Sequence, residues 1–109
     1  MQQFLNQFFP KMEIWGIFFL DREKNFEALK ELGITSSDRE IIIRKIVTDD
    51  YVETIRDTIY NFGEMWVFGK DWDQNELYIK LSMGAPNSNV ICVSLHKSEK
   101  KIRYAFKQD

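Results

Sequence analysis

The chain has 109 residues, 44% hydrophobic and 15% aromatic, with a formal net charge of −2. That length suits one domain, residues 1–109, around one core. No apolar run reaches the roughly 18–20 residues of a membrane-spanning helix, and a single cysteine, Cys92, excludes an internal disulfide. The first residues show neither the basic region nor the small-residue cleavage site of a signal peptide, so the expected compartment is the cytoplasm.

The charge is unevenly spread. Residues 1–76 hold nine Lys/Arg and fifteen Asp/Glu, and residues 77–109 hold six and two. A basic C-terminal third on an acidic body points to an anionic partner there. The overall acidity counts against non-specific duplex binding, where phosphate neutralisation dominates affinity.

Residues 2–9 place Phe4, Leu5, Phe8 and Phe9 at helical spacing, and Pro10 is expected to end that helix. Residues 13–20 (EIWGIFFL) are apolar and aromatic enough for a buried strand, with Gly16 marking a bulge or close approach. Asp21 is expected to cap a helix over 22–32 with Phe26, Leu29 and Leu32 inward, and Gly33 to supply its left-handed stop. Ser37 and Glu40 fit a capping box for a helix running to about Val47. Its three consecutive isoleucines, Ile41 to Ile43, suggest burial on more than one face. Thr48 begins a further turn, and 51–62 reads as a helical turn followed by a loop. Met65 to Gly69 reads as a central strand, and Lys70 to Gln74 as a turn.

Two alternating runs follow. In 76–83, Leu77, Ile79, Leu81 and Met83 face one way and Glu76, Tyr78, Lys80 and Ser82 the other. In 89–96, Ile91, Val93 and Leu95 form the apolar face and Val90, Cys92, Ser94 and His96 the mixed one. Five residues of turn chemistry, 84–88, join them. Pairing apolar against apolar sets Leu81 against Ile91, Ile79 against Val93 and Leu77 against Leu95. Tyr78 and His96, the only histidine, then share a face as diagonal neighbours. The basic stretch after His96 fits a short edge strand or a tail. The expected class is α+β, with helices on one face of a small, mostly antiparallel sheet that ends in a three-stranded meander.

Most recognisable site chemistries fail on spacing. The Asp71–Glu76 cluster does not make a calcium loop, because Glu76 stands where glycine is needed and Ser82 where a glutamate is needed. One His and one Cys give no zinc spacing, and the glycines form no phosphate loop. Cys92 and His96 on one strand lie on the order of 13 Å apart, too far for a nucleophile–base pair. No cofactor is expected. What remains is Tyr78, Lys80, His96, Lys70 and the basic tail. These suit RNA, which carries its own nucleophile: the protein need only move protons and neutralise charge on phosphorus. The plainer reading of the same residues is a cross-strand aromatic, a solvated lysine and a strand-end histidine.

The blocks Glu31-Leu32-Gly33-Ile34, Asp50-Tyr51, Met65-Trp66, Glu76-Leu77-Tyr78-Ile79-Lys80 and Val90 to His96 come in an order that resembles the motility quorum-sensing regulator (MqsR) toxins of type II toxin–antitoxin systems. The resemblance spans roughly residues 25–96. It implies a RelE-like fold, a metal-independent endonuclease acting on single-stranded mRNA, and a cognate antitoxin as partner. Residue by residue, the family's tyrosine matches Tyr78. Its lysine at the end of the last strand falls on His96, its glutamine on Val67, and its upstream lysine near Val52 or Glu53. Lys70 is the nearest polar substitute for the glutamine. The resemblance with the residues above makes Tyr78, His96, Lys70 and Lys80 the candidate catalytic set, and Lys97, Lys101 and Arg103 the candidate RNA contacts. A RelE-like binding module without cleavage is the alternative.

Overall fold

The computed structural model describes residues 1–20, 22–57 and 63–106. Among them, three α-helices and a 3-10 turn accompany a five-stranded sheet in the order β1-β5-β4-β3-β2. The helices are α1 (Gln2–Trp15), α2 (Glu23–Leu32) and α3 (Ser36–Arg44), and the turn is Thr48–Asp50. The strands are β1 (Ile17–Phe19), β2 (Tyr51–Arg56), β3 (Glu64–Trp72), β4 (Asn75–Ser82) and β5 (Val90–Lys97). The class is α+β. The β2-β3-β4-β5 pairings are antiparallel, and β1 joins β5 in parallel, so the sheet is mixed.

The apolar side of the alternation seats the helices. Leu77, Ile79 and Leu81 cluster with Phe4, Leu5, Phe8 and Met12 of α1 and Ile42 and Ile43 of α3. Phe4 stacks on Trp66 at 4.6 Å between ring centroids, and Tyr51 meets Phe68 edge-on at 6.0 Å. No helix among the described residues is long and apolar enough to cross a membrane.

Several local expectations shift. Pro10 lies inside α1 rather than ending it. Pro10 has no N–H to donate to the Asn6 carbonyl, and both residues are exposed, where an unmade helix bond costs least. The helix ends at Gly16, whose positive φ of 81° breaks it. The strand expected over 13–20 therefore shrinks to Ile17–Phe19, its first residues being helical. The cap assigned to Asp21 lies outside the described residues. Gly33 does supply a left-handed stop, at φ 66°. Phe26, however, faces outward at 52% exposure, and Ala28 takes the inward place beside Leu32. The capping box of α3 is Thr35 with Asp38, whose carboxylate accepts the Thr35 N–H at 2.8 Å. Ile41 is 47% exposed while Ile42 and Ile43 are buried, so α3 buries one side only.

Residues 51–56 form an edge strand, not the helical turn expected. Tyr51, Thr54 and Ile55 have the side-chain shapes strands favour, and β3 offers a ladder that local pattern cannot reveal. Residues 58–62 of that segment lie outside the described residues. The turn placed at Lys70–Gln74 contracts to Asp73 and Gln74, both at positive φ (49° and 67°), as a two-residue hairpin requires.

The β4–β5 register is offset from the expected one. Ile79 pairs with Leu95 and Tyr78 with His96, and the pairing slips between Lys80 and Leu81. That slip leaves Val93 as an extra residue in β5. The bulge reverses face allegiance along the strand. Cys92 and Leu95 both enter the helix-side core, while Ser94 and His96 keep to the opposite face.

Candidate nucleic-acid interface

The second face of the sheet is polar where the first is apolar. In register across it lie Tyr78 with His96, and Lys80 with Ser94. Tyr78 and His96 are thus directly opposed rather than diagonal. Their rings stack at 5.3 Å between centroids and 17° between planes. The face agrees with the sequence reading, and the closer contact follows from the bulge at Val93.

α2 reaches this face because of one buried amide. β1 pairs with β5 only as far as Cys92. Beyond it, the Asn25 side chain donates to the Val93 carbonyl at 3.1 Å and accepts the Leu95 N–H at 3.3 Å. It thereby stands in for a missing strand at the sheet edge. That anchorage brings the start of α2 alongside β5. Arg22 donates to Ser94 Oγ at 2.9 Å, and Lys24 pairs with Glu99 at 2.6 Å.

The result is an open pocket of about 330 Å³. Tyr78, Lys80, Ser94 and His96 floor it, Arg22 and Lys24 form one wall, and Ser98, Glu99 and Lys100 form the other. Among the described residues, four cations and a histidine share that lining with the Glu99 carboxylate.

Burial shapes the proton chemistry. His96 is held below its ordinary value, first by desolvation and then by neighbouring Lys24 and Arg22, against a backbone hydrogen bond that raises it. Its Nδ1 lies 3.0 Å from the Lys97 carbonyl, which can only accept. Nδ1 therefore carries the proton and Nε2 keeps the lone pair. Lys80 is lowered by desolvation and by Arg22, with Asp57 and Glu53 opposing. Tyr78 is raised by desolvation and by Glu53, so its hydroxyl stays protonated at neutral pH.

The remaining expected site residues separate. Lys70 pairs with Leu77 in the ladder and so belongs to the helix side, where its ammonium meets Asp50 at 2.9 Å and the Lys45 carbonyl at 2.8 Å. The alternation along β3 turns it away from Tyr78, and it is a structural cation. Lys97 lies next to His96 with its ladder position on the other face, 4.0 Å from Glu31, and at the sheet edge it lines a side pocket together with His96 and Lys24. Lys101 and Arg103 border a neighbouring pocket that shares Tyr78 with the first. Val67 is fully buried on the polar face, between Glu53 and Lys80 in register. Cys92, in the core, has its thiol pushed up to about 12 by burial.

Sequence reasoning passed over Arg22, Lys24 and Asn25. They read as an ordinary first helical turn, and no local signal says that a strand-edge amide will carry two cations to a distant face. Comparison with protein-family models, curated proteins and solved structures found no match.

Proposed function

We propose that this chain is an RNA-binding endoribonuclease of RelE-like, MqsR type, paired with a protein antitoxin and acting on single-stranded message from the Tyr78–His96 face. The observation that carries the reading is the stacked Tyr78–His96 pair set among Arg22, Lys24, Lys80 and Lys100. Neutral histidine beside several cations is what phosphodiester transfer asks of a protein.

In this reading His96 Nε2 accepts the 2′-hydroxyl proton. The 2′-oxygen bonds to phosphorus as the P–O5′ bond breaks, leaving a 2′,3′-cyclic phosphate and a 5′-hydroxyl end. Lys80, whose ammonium is made more acidic by burial, gives the proton to the departing oxygen. Arg22 and Lys24 hold the phosphoryl oxygens. Tyr78 remains a neutral phenol that fixes the imidazole plane and can donate a hydrogen bond to the same phosphate. In this reading Arg22 and Lys80 supply the polar groups that the resemblance would place at Val67 and Val52, from other positions in the fold.

The test is purified protein with a single-stranded RNA in excess chelator, with fragment ends identified. Cyclic-phosphate ends and a loss of about 10²-fold or more in His96→Ala are expected. RNA bound but left intact by the wild type overturns the nuclease in favour of a non-cleaving binding module.

A further inference from the structure

The chain after β5 does not hang free. Ser98 N–H bonds to the Glu76 carbonyl at 2.8 Å, and the Glu76 carboxylate takes the Ile102 N–H at 2.9 Å and the Tyr104 hydroxyl at 3.0 Å. Ala105 N–H then reaches the Tyr51 carbonyl of β2 at 2.9 Å. Residues 98–105 thus form a strap from β5 across β4 and β3 to β2. Its seat is Gly69, where an added Cβ would lie 2.5 Å from Tyr104 Oη and 2.8 Å from Ile102 Cδ1. A side chain at residue 69 would have to displace the Tyr104 and Ile102 side chains by which the strap rests on β3.

Between strap and sheet is a second pocket, of about 410 Å³, bordered by Val52, Glu53, Tyr78, Ile102 and the cations Lys101 and Arg103. Ser98, Lys100 and Tyr78 also line the first pocket, so the two meet over the Tyr78 ring. His96 lines the first and not the second. A single anionic group fills one pocket, whereas a strand with regularly spaced charges spans both.

We propose that the strap builds a second phosphate subsite, on the side of Tyr78 away from His96, at which Lys101 and Arg103 hold the next phosphate of a single strand. The inference rests on the RNA reading above and specifies its ligand as an oligonucleotide spanning Tyr78. A duplex does not fit this description, since an aromatic floor engages unstacked bases. Glu53, the carboxylate in this subsite, is an acceptor for a base amine rather than a phosphate contact. Glu76 is a positioning residue, acting through the strap it clamps.

The test uses two probes, a non-cleavable 2′-O-methyl tetranucleotide and a nucleoside 3′-monophosphate, with wild type and the double variant Lys101→Gln/Arg103→Gln. The variant should bind the tetranucleotide about tenfold more weakly, with a salt slope smaller by about 0.7, as the loss of one single-strand phosphate contact requires, and the monophosphate as wild type does. Equal weakening of both probes, or unchanged tetranucleotide binding, overturns the second subsite. A wild type that binds neither probe and cleaves no RNA overturns the RNA reading itself. Gly69→Ala supplies an independent readout: trypsin should cut at Lys100, Lys101 and Arg103 sooner, with the circular dichroism of the sheet retained and tetranucleotide affinity reduced. Trypsin resistance equal to that of wild type overturns the assigned seat of the strap.

Discussion

His96 shows how position tunes one group. Desolvation keeps its imidazole neutral to a lower pH than a free histidine. Cleavage that needs a neutral base should therefore rise with pH and reach half its plateau below the free value of about 6.5. A pH–rate profile with its acidic midpoint at or above that value counts against His96 as base. Lys70 offers the opposite lesson. By the resemblance it is the nearest polar substitute for a glutamine at Val67, yet its ammonium lies against buried Asp50. Lys70→Ala should cost about 2–3 kcal/mol in urea denaturation, because a buried carboxylate loses its counter-ion. The surviving folded protein should still bind RNA. A variant as stable as wild type but unable to bind would return Lys70 to the site.

At the scale of elements, the bulge in β5 decides the face. Strict alternation puts Cys92 with His96; one extra residue at Val93 sends Cys92 into the core and leaves Ser94 and His96 outside. A bulge has no local sequence signature here, since Val93 is as good a strand residue as its neighbours. The hairpin between β3 and β4 is the reverse case. Its turn needs positive φ at Asp73 and Gln74, yet neither is glycine. Asp73→Asn with Gln74→Gly should relieve that conformation and raise stability by about 1 kcal/mol, read as a higher urea midpoint with an unchanged slope. No gain would mean that the turn carries less strain than its backbone angles suggest. In α3, the box partner moved from Ser37–Glu40 to Thr35–Asp38. Both pairs satisfy the same spacing rule, and in the fold the Asp38 carboxylate is the one that takes the N-cap N–H.

At the scale of the whole molecule, folding ties several weakly acidic groups into protonated states. Burial raises the Cys92 thiol to about 12 and also raises Tyr78 and Tyr104, the latter further through its hydrogen bond to Glu76. In the unfolded chain these groups ionise near pH 9–10. The unfolded state then loses protons first, so stability should fall as pH rises from about 9 toward 12. Denaturant midpoints at pH 8 and pH 10.5 measure this, and equal midpoints would contradict it. Cys92→Ala should flatten part of the fall even though it opens a small cavity.

The sequence by itself determined the class, α+β, and most of the elements that period and capping announce. The strand over 76–83, the apolar set Leu77, Ile79 and Leu81, the glycine stop at Gly33 and the shared face of Tyr78 and His96 all follow from side-chain periodicity and backbone chemistry within a few residues. Only the tertiary structure decided the rest. Whether 51–56 is a strand depends on β3 as its partner, and whether Arg22 and Lys24 belong to the site depends on Asn25 finding the open edge of β5. So does the strap, whose path depends on the bare surface at Gly69 and on Glu76 beneath it. The physical reason is range: periodicity and caps are properties of neighbours along the chain, whereas edges, bulges and the pockets between them exist only once distant segments meet.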